Sequence, residues 1–194
     1  MYILANDFRI SVWKFHYISI KFRGEKRIMQ NDVELKGMIN KPIIHVDADA
    51  CPVKDEILHC ARQCDVDVCF VASYKNMMNN PEGKWVYVDA DKEAADLYIV
   101  NSVKKGDIVI TADIGLAGTL LPKSVYVLSP RGKEYTNENI FMLLDMRYQS
   151  AKLRRQGKHT KGPKAFTKDD KICFTNKLLK ILSNFAGNQD SISN

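Results

Sequence analysis

The chain has 194 residues, 45% of them apolar and 27% charged, the composition of a globular protein able to bury a core of its own. No apolar run approaches the roughly 18–20 residues of a membrane span, and the opening MYILANDFRISVWKFHYISIKFRG mixes charge with apolarity where a secretory signal would be continuous. The net charge of +6 is unevenly spread: residues 42–130 hold eight Lys/Arg against thirteen Asp/Glu, and residues 131–180 hold thirteen against five.

An acidic part followed by a basic one suits a polyanionic ligand whose phosphates meet a bound cation and a set of lysines and arginines together. Two separately solvated faces give the same count. The five cysteines, at 51, 60, 64, 69 and 173, are odd in number and lack framework spacing. They are expected as free thiols in a reducing cytoplasm.

Residues 1–41 include strand-like pieces but take no place in the alternation that starts at Pro42. They are expected to form an N-terminal extension: a disordered stretch, an added hairpin, or a segment upstream of a native start at Met29 or Met38. From Pro42 the pattern is regular. PIIHVD reads as a first strand, and Pro52, whose missing N–H costs nothing in a first turn, opens a helix through about Cys64. Strands follow at 66–72 and 84–89, separated by the loop SYKNMMNNPEG. A helix over about 91–104 ends before Gly106, with Asp89 or Asp91 as its cap. DIVITAD (107–113) is a fourth strand, IGLAGTLL a short helix stopped by Pro122, and SVYVLSP (124–130) a fifth strand.

Near-continuous apolar strands alternating with helices predict an α/β three-layer sandwich around a mainly parallel sheet of about five strands. Beyond it, helices are expected over 137–156 and from Thr167 to near Gly187, joined by RRQGKHTKGPKAF. The domain thus spans 42–187, with a frayed tail at 188–194.

Ligands of open parallel sheets sit at the carboxyl ends of the strands. Acids gather at those ends: Asp47 and Asp49 after strand one, Asp89 and Asp91 after strand three, Asp113 after strand four, with Glu93 and Asp96 opening the next helix. Carboxylates that follow buried strands repel one another and need a partner. A hard divalent cation, Mg2+ or Mn2+, supplies one and leaves positions for phosphate. For Asp47, Asp49 and Asp113 this is a better account than helix capping. His45 is expected to be a hydrogen-bonded core residue, Cys60 and Cys64 buried thiols, and Cys51 at most a weakly reactive one. On the basic side, Arg131, Lys133, Arg147, Lys152, Arg154, Arg155, Lys158, Lys161 and Lys164 accompany Tyr135, Tyr148 and Phe166. Cations interleaved with aromatics suit single-stranded nucleic acid.

The stretches VDADACPVK, GDIVITADIGLA, SPRGKEYTNENI and LRRQGKHTKGPKAF, in that order, resemble the bacterial YaiI/YqxD family, also called DUF188 or UPF0178, over about residues 42–183. That family is similar to PIN-domain nucleases. The resemblance implies a PIN-like sheet whose acids bind Mg2+ or Mn2+, with Asp47, Asp49, Asp96 and Asp113 as metal and catalytic residues and Thr111 in a T-x-D position. Arg131, Lys133, Arg147, Arg154, Arg155, Lys158, Lys161 and Lys164 would then hold RNA or single-stranded nucleic acid. Two positions depart from the family pattern: Glu93 replaces an aspartate, and Gly115 stands where relatives carry proline. Two other readings fit the residues. DADAC echoes the Asp-x-Asp opening of haloacid-dehalogenase phosphatases, and the fold alone would serve a non-catalytic RNA-binding module.

Overall fold

The computed structural model describes residues 41–79, 81–91, 93–158, 162 and 164–187. The expected extension at 1–41 lies, but for Lys41, outside the described residues, as does the tail at 188–194.

The strands are β1 (Ile44–Asp47), β2 (Val68–Ser73), β3 (Lys84–Val88), β4 (Ile108–Ile110), β5 (Tyr126–Leu128) and β6 (Glu134–Tyr135). The helices are α1 (Lys54–Cys64), α2 (Ala94–Ser102), α3 (Ile114–Leu120), α4 (Ile140–Arg155) and α5 (Lys168–Gly187). The sheet order is β3-β2-β1-β4-β5-β6, parallel except for the β5–β6 pair. The expected mainly parallel α/β sandwich is therefore what forms, with one further strand.

Period-two alternation builds the layers. Ile44, Val46, Phe70, Ala72, Ile108 and Ile110 face a core closed by Ile57, Cys60 and Ala61 of α1 and by Phe174, Leu178, Ile181 and Leu182 of α5. Cys69, Val71, Val109 and Val127 face the opposite core, closed by Ile99 of α2, Leu116, Ala117 and Leu120 of α3, and Ile140 and Leu143 of α4. Both sides of the sheet are covered, which is why its strands lack polar alternation.

Several boundaries differ from the sequence reading, each for a local reason. α1 starts two residues after Pro52, and α3 gives way at Leu121–Lys123 to a 3-10 turn that contains Pro122. The first turn of α5 is fixed by a reciprocal pair: the Asp170 N–H donates to Thr167 Oγ1 at 3.2 Å and the Thr167 N–H to Asp170 Oδ2 at 2.9 Å, the capping-box arrangement. β6, absent from the reading, is two residues long, too short to show any periodicity. A hairpin creates it. Ser129 and Lys133 close the turn, and Gly132, at φ +77°, supplies the left-handed residue.

The sheet order reverses between β1 and β4. One path runs outward through β2 and β3 and the other through β5, leaving a crevice beyond the carboxyl ends of β1 and β4. Asp47 is the last residue of β1; Thr111 and Asp113 immediately follow β4.

Candidate functional site

The crevice opens into a cavity of about 410 Å³ lined by Asp47, Asp49, Asp89, Asp91, Asp96 and Asp113, with Lys75 as the one cation among the described residues that line it. A neighbouring cavity of about 350 Å³ shares Asp96 and Asp113 and adds Glu93, Gly115 and Arg147. The four acids proposed from sequence thus share one wall system, and Asp89 and Asp91 join them. The expectation that Asp89 or Asp91 caps α2 is corrected. The cap position is Glu93, with no side-chain cap, and only the Asp91 backbone carbonyl takes part, accepting from the Ala94 N–H at 3.1 Å.

Each central carboxylate has its own tether. Thr111, buried beneath the cavity, donates its hydroxyl to Asp47 Oδ2 at 2.9 Å and accepts the Asp113 N–H at 3.0 Å. Asp49 accepts the Ser73 N–H at 3.0 and 3.3 Å, tying the β1 end to the β2 end. Asp113 caps α3 after all. Its Oδ1 accepts the N–H of Gly115 at 2.6 Å and of Leu116 at 3.4 Å, because a carboxylate leaving β4 meets the exposed amides of the next helix at once. The same oxygen takes Arg147 Nη1 at 2.6 Å. A Cβ on Gly115 would stand 3.0 Å from that guanidinium, so glycine leaves Arg147 its approach.

Electrostatics follow these tethers. Burial pushes the Asp47 carboxyl above its ordinary range; the Thr111 hydroxyl opposes this, and Asp49 and Asp113 add to it. Burial likewise raises Asp96, with further contributions from Asp47, Asp113 and Glu93. Burial would raise Asp113 too, but Arg147 and the α3 amides outweigh it and hold that group low. Asp47, Asp96 and Asp113 therefore lie close enough to feel one another's charge. Among the described residues, however, no three His, Cys, Asp or Glu side chains are grouped so as to hold one ion. Asp47 leans on Thr111, Asp49 on the Ser73 amide and Asp113 on Arg147. The donors present, carboxylate oxygens, suit Mg2+ or Mn2+ in kind.

The basic residues separate into two groups. Arg131 is engaged within the fold: Nη1 pairs with Asp170 at 2.6 Å, Nη2 donates to the Lys164 carbonyl at 2.6 Å, and the guanidinium lies 5.2 Å from the Phe166 ring centroid. Arg147 belongs to the acid cavity. Lys133, Lys152, Arg154, Arg155, Lys158 and Lys164 are solvent-exposed, while Lys161 lies outside the described residues. Of the aromatics, Tyr135 is buried, Phe166 packs against the α1–α5 core, and Tyr148 is exposed.

The thiols are free. Burial pushes Cys51 and Cys60 up to about 11, so neither is an activated nucleophile. His45 is buried as expected, but its bonding differs. Nε2 stands 3.4 Å from Asp107 Oδ2, and neither ring nitrogen meets hydrogen-bond geometry. Asp107 instead spends its oxygens on the Ile43 and Lys104 amides.

The family pattern described as "Uncharacterized BCR, YaiI/YqxD family" (DUF188) matches residues 45–184. The chain belongs to the YaiI/YqxD family. The UPF0178 protein of Bacillus cytotoxicus is 53% identical over 150 residues, covering 77% of this chain and 99% of that protein. A UPF0178 protein of Bacillus pumilus is 54% identical over 146 residues, 74% of this chain and 88% of its own. One from Listeria innocua is 48% identical over 144 residues, 74% and 99% respectively. No solved structure matches. The YaiI/YqxD match takes in every acid of the cavity and the basic residues through Lys164. Among the described residues, no helix of this YaiI/YqxD protein is long and apolar enough to cross a membrane.

Proposed function

We propose that the chain is a cytoplasmic, divalent-metal-dependent nuclease of PIN-like type, hydrolysing phosphodiester bonds in RNA or single-stranded nucleic acid. The observation that carries this reading is that Asp47, Asp49, Asp96 and Asp113 line one cavity at the switch point, where burial raises Asp47 and Asp96. Six carboxylates around one cavity repel a phosphate unless cations intervene.

Asp47, Asp49, Asp96 and Asp113 would hold Mg2+ or Mn2+; the ion, when bound, supplies charge neutralisation and an acidified water. The chain's own residues do the rest. Thr111 aims the Asp47 carboxylate and fixes the Asp113 backbone in one stroke. Arg147, paired here with Asp113, would be released if a cation took that carboxylate and would then be free to meet a phosphate oxygen. Lys75, which lines the acid cavity, offers a second charge. The exposed cations Arg154, Arg155, Lys158 and Lys164 would meet the flanking phosphates, which position the chain without reading its sequence.

The test is cleavage of mixed RNA and single-stranded DNA pools with Mn2+, Mg2+ or chelator, by wild type, Asp47→Asn and Asp113→Asn. Metal-dependent cleavage abolished in both variants is expected. No cleavage in any metal, or equal cleavage in the variants, refutes the reading. Binding with a steep salt dependence but no cleavage would leave the non-catalytic RNA-binding module in its place.

A further inference from the structure

Four aromatic rings stack in series from the core toward the rim of the acid cavity. Trp85 lies on Phe70 with centroids 4.8 Å and planes 19° apart. Tyr87 follows Trp85 at 5.8 Å and 19°, and Tyr74 follows Tyr87 at 6.1 Å and 29°. Phe70 is fully buried, whereas Tyr74 is 57% exposed. Among the described residues, the series thus ends on a ring with one stacked neighbour and more than half its surface exposed. Met77 and Met78, both exposed, widen the apolar rim.

This end of the stack is held in place. The Ser73 amide is bound by Asp49, the Ser73 hydroxyl accepts the Lys75 N–H at 3.2 Å, and the Met78 N–H donates to the Tyr87 hydroxyl at 3.4 Å. The two residues after Tyr74, Lys75 and Asn76, line the acid cavity beside Asp47, Asp49 and Asp96. Folding alone gives no reason to leave a tyrosine and two methionines uncovered at a charged cleft, since aromatic rings stabilise chiefly by what they bury.

We propose that Tyr74 is a stacking platform for an unpaired nucleobase, the fifth ring of the series, which places the attached phosphate over the acid cavity. The near-parallel planes select a flat aromatic ligand. The adjacent Lys75 and the cation-demanding acids select one that carries phosphate, which an apolar protein side chain does not. A base inside a duplex is already stacked and paired, so the ligand is single-stranded. RNA and DNA share this chemistry. The inference rests on the reading of the acid cavity as a phosphodiester site and adds the substrate's strandedness and its contact.

The experiment measures binding of labelled oligonucleotides of about ten residues, as RNA, as DNA, as duplex and with abasic sites, to the full chain in chelator and in Mn2+. A 2-aminopurine base in the single strand reports stacking through its fluorescence. Tyr74→Ala is expected to weaken single-strand binding by roughly tenfold or more and to abolish the 2-aminopurine quench, while Tyr74→Trp keeps both. Abasic strands should bind wild type and Tyr74→Ala alike. RNA and DNA responding together assigns the contact to the base; one responding alone assigns it to the base within that sugar's backbone. Unchanged affinity and quench in Tyr74→Ala, with the variant folded by circular dichroism, overturns the proposal. The two readings separate cleanly. Tyr74-dependent binding without cleavage in any metal retains the platform and removes the nuclease, whereas Asp47-dependent cleavage indifferent to Tyr74 does the reverse.

Discussion

Replacing Thr111 by valine keeps a β-branched side chain at the end of β4 and removes one hydroxyl. That hydroxyl donates to the Asp47 carboxylate and accepts the Asp113 N–H, and the side chain is 1% exposed, so water cannot substitute. A hydrogen bond to a charged partner contributes about 1.5–3 kcal/mol and a neutral one about 0.5–1.5 kcal/mol. The expected cost at about pH 8 is therefore roughly 2–4 kcal/mol, a fall in Tm on the order of 5–15 °C for a domain of this size. The cost should shrink in acid. Once Asp47 is protonated its need for a donor weakens, and only the neutral contribution remains. Urea unfolding of wild type and Thr111→Val at about pH 8 and at a pH below the ordinary 3.8 measures both quantities. A loss under about 0.5 kcal/mol at the higher pH, or one that does not narrow at the lower, refutes the role given to Thr111.

Asp47→Asn should stabilise the metal-free protein in a pH-dependent way. A carboxyl raised in the fold binds protons more tightly there than in the unfolded chain, so wild-type stability falls as pH climbs from the ordinary 3.8 through the raised value. The variant's advantage is absent below that window and full above it; thermal melts across pH test this, and a variant less stable at every pH contradicts it. Asp113 has the opposite sign. Held low by Arg147 and the α3 amides, it stabilises above 3.8 and loses that contribution as acid titrates it. Gly132→Ala should cost about 2–5 kcal/mol, since φ is +77° and the new methyl would sit 2.9 Å from the Cys173 carbonyl and Sγ. Gly157→Ala, at φ +75° with no described residue within 4 Å of the new methyl, should cost only about 1 kcal/mol, so equal losses in urea unfolding would refute the packing of the hairpin on α5. Disulfide-exchange reagents should modify exposed Cys173 first and reach Cys51 and Cys60 only on unfolding, because burial holds both thiols up to about 11. Rapid labelling of Cys51 in the native protein would be the contrary result.

The sheet was legible because its central strands are buried on both faces and read as unbroken apolar runs. Parallel strands with buried faces also put their carboxyl ends at one edge, which is why Asp47 and Asp113 could be paired from sequence across 66 positions. What sequence did not disclose were choices made by tertiary contact. Arg147 stands among twelve other cations of the basic segment 131–180, and nothing in its neighbours says that it turns toward Asp113. Arg131 reads as one more phosphate ligand until Asp170 and two carbonyls are seen to engage it. Tyr135 and Phe166 carry the composition of a stacking surface and are spent on packing, while Tyr148 and, in a 3-10 turn with no basic cluster, Tyr74 are left exposed. Spacing also ranked metal above capping for Asp113. The geometry gives it the cap and an arginine as well, since only three residues separate β4 from α3.

Calorimetric titration of Mn2+ into wild type, Asp47→Asn and Asp96→Asn tests most directly whether these carboxylates from separate elements act as one cation site. The account predicts saturable binding to wild type, accompanied by a rise in Tm, and its loss or severe weakening in both variants. No binding to wild type, or the same binding in all three proteins, would contradict it.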